Sequence, residues 1–398
     1  MSHFLTDEEI RALIDRCILA ETREEKLALR EKLLIRNELF NSLRRLDVLT
    51  DFLEDPEISE IMLVGTGPIF IEKKGRIIAT DRHFESNDRL KGVIQRIVAD
   101  CDRKVNEAEP IVDARLKDGS RVNVVLDPVS LDGPALTIRR FPDRELDMEA
   151  LAQLGSFDAP MKKIFEALVL GKYNLLISGS TGSGKTTFLN ALSGYIPKDE
   201  RIITIEDSAE LQIRGVKNIV RLETRNKSSS GEHQITIRDL IKTSLRMRPD
   251  RLIVGEVRDA SACDMLQAMN TGHDGSMSTA HANSAHDMLD RLSTMVLTGM
   301  DIPMEAIRKQ IAGAIDIVIH LGRLRDRSRR VLNISEVNGV KANEIVLSTL
   351  YEFSAGGEED GRIKGRMVKI NDLANTFKLE AQGVLSLYRE GERELEQF

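Results

Sequence analysis

The chain has no tryptophan, four tyrosines and three cysteines in 398 residues, and each shortage excludes something. With so few large aromatic rings there is little for bare nucleobases to stack on. The formal net charge of −7 gives no global pull toward nucleic acid. Cys17, Cys101 and Cys263 are far apart and form no CxxC pair, which argues against a zinc finger or disulfide scaffold and for three reduced thiols. No apolar run approaches the roughly 20 residues of a membrane span. The opening stretch MSHFLTDEEI is acidic and lacks the apolar segment of a secretory leader. Membrane association is therefore expected only through a partner or a surface. No internal repeat is visible.

What is present is a globular composition, 41% apolar and 30% charged, in a chain too long for one ordinary core. Residues 1–50 read as a helical segment. Thr6 and Glu9 have capping-box spacing, and Ile10, Leu13, Ile14, Leu27, Leu33 and Leu34 recur at helical intervals among charges. Residues 51–140 change to short β-rich runs (ISEIMLVG, PIFIEKKGRIIAT, SRVNVVLD, ALTIRRF) broken by glycine turns, with one helix at NDRLKGVIQRIVADC. This pattern predicts a small α+β domain. Residues 141–160 hold two prolines and no β pattern and read as a linker with a short helix that would carry a hinge. From 161 to 398, β runs such as YNLLISGS, RIITIED, KNIVRLE, DRLIVGE and GSMSTA alternate with helical segments. That alternation predicts a parallel sheet wrapped by helices, followed by a C-terminal β/α extension. The turn-rich SAGGEEDGRIKG reads as a loop.

The strongest chemical signal is Gly179-Ser180-Thr181-Gly182-Ser183-Gly184-Lys185-Thr186, a complete G-x-x-x-x-G-K-[ST] motif, with Thr187 next in line. A strand precedes it and a helix follows. Glycines let the backbone curl so that its N–H groups point at phosphate oxygens, and the helix N-terminus adds partial positive charge. Lys185 then pairs with β- and γ-phosphates, and the Thr186 hydroxyl ligates Mg²⁺. About seventy residues on, the apolar run Leu252-Ile253-Val254-Gly255 ends in Glu256. A strand of this kind is expected to neighbour the phosphate-loop strand. Its tip would then bring Glu256 to the γ-phosphate, where a carboxylate orients or deprotonates the attacking water.

Four motifs in order make the chain resemble the type II/type IV secretion ATPase superfamily: GSTGSGKTT, IEDSAELQ, RMRPDRLIVGEVRD and GHDGSMSTAHANS. The resemblance runs over roughly residues 55 to 340. Within it, VDARLKDGSRVNVV and ALTIRRF are most similar to CpaF-like ATPases of tight-adherence (Flp) pilus assembly, with conjugation-type type IV ATPases as close competitors. The resemblance implies a RecA-like P-loop domain, ATP and Mg²⁺ as substrate and cofactor, and a homohexameric ring. It also implies inner-membrane platform proteins as partners, a cytoplasmic place at the inner membrane, and no direct nucleic acid. It implies that Glu206, Asp207 and Glu210 lie near Mg²⁺ and its waters, with a turn or helix cap as the alternative for Asp207. His281 would sense the γ-phosphate, and His273 opens the same motif; His233 and His286 carry no such role. Arg121 and Arg139 would reach the phosphates, with Arg140 as the alternative to Arg139 and Arg248 as a cross-subunit candidate.

Two other readings remain. A DNA-processing RecA-like protein would use the basic cluster Arg323 to Arg330, which otherwise reads as an exposed hairpin or subunit contact. A non-catalytic nucleotide-binding scaffold is disfavoured by the presence of Lys185, Thr186 and Glu256 together.

Overall fold

The computed structural model describes residues 6–21, 28–73, 75–101, 103–116, 118–140, 146–213, 215–225 and 234–398. The chain divides into two compact units, Met1–Arg144 and Glu145–Phe398.

The first unit begins with helices α1 (Asp7–Glu21), α2 (Leu29–Arg44) and α3 (Leu49–Glu54). Thr6 and Glu9 close the expected capping box: the Glu9 carboxylate accepts from the Thr6 N–H at 2.7 Å, and the Thr6 hydroxyl accepts from the Glu9 N–H at 3.3 Å. Strands β1 (Ile58–Val64), β2 (Phe70–Lys73) and β3 (Arg76–Ala79), helix α4 (Asn87–Asp100), and strands β4 (Ile111–Arg115), β5 (Arg121–Val125) and β6 (Ala135–Arg139) follow. The six strands form an antiparallel sheet of order β3-β2-β1-β6-β5-β4. Alternation along the strands sends Ile61, Leu63, Val122, Val124, Leu136 and Ile138 to one face, where Leu90, Val93, Ile94, Ile97 and Val98 of α4 cover them.

The second unit opens with α5 (Met148–Gln153) and α6 (Met161–Leu170). From residue 146 onward, the stretch expected to be a linker is therefore built into this unit, with its expected short helix as α5. Met148, Leu151 and Phe157 are buried with Phe165 and Phe188, the last three meeting edge to face. Residues 141–145 lie outside the described residues.

Strand β7 (Leu175–Gly179), helix α7 (Lys185–Ser193), strands β8 (Ile202–Glu206) and β9 (Ile219–Glu223), helix α8 (Ile237–Ser244), strand β10 (Arg251–Val254), helix α9 (Ser261–Asn270), strand β11 (Met277–His281), helices α10 (Ala285–Gly299) and α11 (Met304–Ala314), and strand β12 (Ile317–Arg323) continue the unit. It ends with β13 (Arg329–Lys341), β14 (Glu344–Glu359), β15 (Arg362–Lys369), α12 (Phe377–Ala381) and α13 (Leu385–Gln397). The nine strands form one sheet, β15-β14-β13-β12-β7-β11-β10-β8-β9, parallel from β12 to β9 and antiparallel beyond. Parallel strands buried on both faces read as unbroken apolar runs. Leu175 and Ile177 face one helix layer, with α6 and α7, while Leu176 faces the other, with α9 and α10.

Two expectations change here. The SAGGEEDGRIKG stretch is the end of a long hairpin: β14 runs to Glu359 and pairs with β15 across Asp360-Gly361. Both turn residues have positive φ, 51° and 70°, as a two-residue hairpin turn requires. The segment has no apolar alternation because its tip lies in solvent on both sides, so backbone pairing alone defines it. Second, β10 is not the neighbour of β7; β11 lies between them.

At the N-terminal edge of the parallel strands, Arg251 is fully buried and grips Glu200 with a two-pronged ion pair, while its third nitrogen donates to the Val169 carbonyl at 2.8 Å. Removing one partner strands a buried charge. Arg251→Ala is expected to cost about 3–5 kcal/mol in urea unfolding. The Arg251→Ala/Glu200→Ala double variant should lose less than the sum of the singles, and strict additivity would show that the pair is not coupled.

Candidate functional site

The parallel strands β7, β11, β10 and β8 end at one edge of the sheet, and the groups of interest are gathered there. β7 runs into the phosphate loop, and the loop into α7. Gly179 (φ 155°) permits a close approach, since a Cβ there would sit 2.4 Å from the Leu321 carbonyl and 2.6 Å from the Ser183 hydroxyl. Gly184 (φ 94°) turns the chain into the first helical residue, Lys185, in a left-handed conformation that only glycine adopts cheaply. The Ser183 hydroxyl is buried and has no hydrogen-bond partner among the described residues. Such a cradle, with an unspent hydroxyl and helix N–H groups, suits a polyphosphate.

Lys185 is 7% exposed. Its ammonium donates to the carbonyls of Gly179 and Ser180, both at 3.1 Å, and lies 3.2 Å from Nδ1 of His281. An ammonium can only donate, so Nδ1 accepts and the His281 proton resides on Nε2. Nε2 approaches Oε1 of Glu256 at 3.1 Å, off the axis of a good hydrogen bond, so Oε1 remains a buried acceptor with capacity to spare. The other Glu256 oxygen accepts from Arg258 at 2.7 Å. Lys185, His281, Glu256 and Arg258 thus lie in one line, hydrogen-bonded at its two ends and in ion-pair range at the His281–Glu256 link.

The sheet explains why these groups meet. His281 ends β11, directly opposite Gly179 on β7. Glu256 lies just beyond β10, the next strand over. Gly255 lets the strand ends close up, because a Cβ there would lie 2.9 Å from the Glu206 side chain. The Thr279 hydroxyl donates to the Gly255 carbonyl at 2.7 Å and ties β11 to the Glu256 turn.

Burial, then the neighbouring Lys185 charge, holds the His281 pKa below its ordinary value. Burial likewise lowers Lys185, opposed by Glu256 and Glu210. Arg258 is raised by its bond to Glu256.

The remaining expected residues divide. The buried Glu206 carboxylate is used within the chain: it accepts from the N–H of Glu210 at 2.7 Å and of Leu211 at 3.0 Å and so shapes the loop. Asp207 is exposed, with Thr224 as a weak partner at 3.4 Å, and Glu210 is half-buried; both act electrostatically on Arg258. Thr181 and Thr187 are exposed and Thr186 is half-buried at the helix start. His273 bonds the Ala268 carbonyl at 3.0 Å and caps α9. His286 pairs with Asp290 on the surface of α10. His233 lies outside the described residues. Arg248 precedes β10, at the sheet edge opposite the phosphate loop.

In the first unit, Arg121 faces Arg139 across β5 and β6. Arg140 is committed to the backbone carbonyls of Asp55 and Ile58, whereas Arg139 is exposed with Glu60 3.6 Å away. Arg115, which the sequence did not single out, extends the row opposite Arg121. Among the described residues, no group of three or more His, Cys, Asp or Glu is arranged to hold a metal ion. No helix among them is long and apolar enough to cross a membrane.

Sequence reading missed His320. It is buried on β12, its Nδ1 2.9 Å from the Ser178 hydroxyl just below the phosphate loop, and burial lowers its pKa. Only the pairing of β12 with β7 brings it there. His281 and His320 both have folded pKa values below the ordinary 6.5. Their neutral forms therefore stabilise the fold above that value, and the contribution is lost as pH falls through the lowered pKa. The unfolding midpoint of the full chain is expected to drop between pH 7.5 and 5.5 in scanning calorimetry. His320→Gln should flatten that drop; an unchanged slope would remove His320 from the linkage.

The family model described as type II/IV secretion system protein matches residues 44–379. The conjugal transfer protein TrbB of Rhizobium radiobacter is 31% identical over 322 residues, covering 80% of this chain and 94% of that protein. The type IV secretion system protein PtlH of Bordetella pertussis (strain Tohama I) is 31% identical over 323 residues, covering 75% and 95%. The solved ATPase DotB of Legionella pneumophila superposes with a TM-score of 0.52 at 23% identity, over 73% of this chain and 79% of that one, a likeness of fold. With a complete phosphate loop, a lysine, histidine and carboxylate in line beside it, and a family match over most of its length, the chain belongs to the type II/IV secretion system protein family.

Proposed function

We propose that this chain hydrolyses ATP and that the cycle drives a pilus-assembly or secretion machine. The observation that carries this reading is the line from buried Lys185 through half-buried His281 to half-buried Glu256 at the mouth of a complete phosphate loop. The amides of residues 180–186 cradle the phosphates, and Lys185 exchanges its carbonyl partners for β- and γ-phosphate oxygens. Thr186 would hold Mg²⁺, with Asp207 and Glu210 reaching it through water. The cation would supply charge neutralisation when bound.

Glu256 orients and deprotonates the attacking water through Oε1, the oxygen with capacity to spare. Arg258 fixes the other oxygen and so the carboxylate's orientation. His281 touches both Lys185 and Glu256, so it registers whether a γ-phosphate lies between them. Arg121 and Arg139 suit neutralisation of phosphate charge, because a guanidinium stays charged and donates in pairs. Loss of the γ-phosphate would release the contacts made to it, which is how hydrolysis would be turned into a conformational change.

The working assembly is a ring of six copies on the cytoplasmic side of the inner membrane, held there by platform proteins. Pilus assembly of the tight-adherence type and conjugation-type secretion are the two machines that fit. The relatives named for conjugal transfer and type IV secretion support the second, and the Arg121 and Arg139 motifs support the first. The DNA-processing reading loses support from the basic cluster, since Arg325 pairs with Glu358 and Arg330 donates to the Ile363 carbonyl within the chain.

Glu256→Gln is expected to keep MgATP affinity within a few-fold while turnover falls by about 10²–10⁴. Phosphate release and equilibrium nucleotide binding measure the two separately. Wild-type turnover in this variant would take Glu256 out of the mechanism.

A further inference from the structure

Two arginines lie on the side of the phosphate loop away from the carboxylates. β12 and β13 end in a rung where Arg323 and Arg329 face each other. Like charges directly opposite on neighbouring strands are unfavourable, and among the described residues neither has a carboxylate partner. Arg329 lies along the phosphate loop itself. Its Nε donates to the Gly182 carbonyl at 2.9 Å, and its Cδ is 3.4 Å from where a Cβ of Gly184 would be. Its two terminal nitrogens, with four N–H donors between them, have no protein partner among the described residues.

The turn that presents Arg329 is firmly built. Asp326 accepts from the Ser328 N–H at 3.0 Å, the Ser328 hydroxyl at 2.6 Å and the Ile363 N–H at 2.8 Å. Arg330 donates to the Ile363 carbonyl at 2.8 Å and lies over the Phe353 ring at 4.9 Å. Backbone pairing of Leu324 with Ser328 closes the turn. A guanidinium held against a phosphate loop by such a scaffold is poised to donate to an anion that the loop also holds.

Strand order says which part of the ligand this is. His281 and Glu256 lie on the β11 and β10 side of β7, and β12 and β13 lie on the other. A triphosphate with its γ end at Lys185 and Glu256 extends its α-phosphate and nucleoside toward β12 and β13. We propose that Arg329, supported by the charge of Arg323, binds the α-phosphate end of a nucleoside di- or triphosphate and discriminates nucleotides from shorter phosphates. This rests on the ATPase reading of the site and deepens it.

The test uses the full chain with Arg329→Ala and Arg329→Lys, measuring ATP turnover and equilibrium binding of MgADP and of magnesium pyrophosphate. For Arg329→Ala, KM for ATP and Kd for ADP should rise about ten- to a hundredfold, the loss expected of charge-assisted hydrogen bonds. Pyrophosphate affinity and kcat should stay within about threefold, because the loop amides, Lys185 and Glu256 are retained. Arg329→Lys should recover part of the affinity. An unchanged KM and Kd would overturn the proposal, as would equal losses for ADP and pyrophosphate, which would mean that Arg329 only shapes the loop. A wild-type chain that binds ADP but shows no turnover would instead sink the ATPase reading, and the ADP arm would still decide the role of Arg329.

Discussion

The site depends on one buried ammonium. Lys185 is held where two loop carbonyls and a histidine nitrogen can satisfy it, at the start of a helix whose N–H groups point the same way. A buried charge is tolerable only with partners, and these three are weak, neutral acceptors. Phosphate oxygens are better ones, so the arrangement favours exchange. The His281 tautomer follows from this lysine, and with it the direction in which Nε2 faces Glu256. The glycines, the order of the strands and the burial of Glu206 all serve to bring that group and its neighbours within reach of one another.

The strand order then gives the site two sides. On one, β11 and β10 bring His281 and Glu256 to the end of the loop where bonds would break. On the other, β12 and β13 bring Arg329 along the loop's outer limb. The same turn that carries Arg329 is fastened to the β14–β15 hairpin through Asp326, Arg330 and Arg325. Polar contacts thus run without a break from the phosphate loop through this turn to an exposed hairpin.

Much of this was legible in the chain because the signals are local. The phosphate loop needs its glycines at fixed offsets, and the Thr6–Glu9 box needs only a spacing of three. The buried parallel strands announce themselves as apolar runs. What was hidden depends on pairing between distant segments. Nothing near Arg329 or His320 in sequence says that β12 and β13 will lie beside β7. That β11 separates β7 from β10 is likewise a property of the whole sheet. The Asp360-Gly361 turn was a local signal, but no apolar alternation flanked it, because the hairpin tip has no core to face. Met148, Leu151 and Phe157 resembled linker residues since prolines surround them, yet their bulk is spent on the core of the second unit.

The central claim is that the Lys185 ammonium grips a nucleotide's phosphates. Calorimetric titration of the full chain with MgADP, beside Lys185→Ala, tests it most directly. The account requires saturable binding by the wild type and a loss of about a hundredfold or more in the variant, the scale of removing a buried charge-assisted contact. An equal affinity in both proteins, with the variant folded to the same unfolding midpoint, would contradict it.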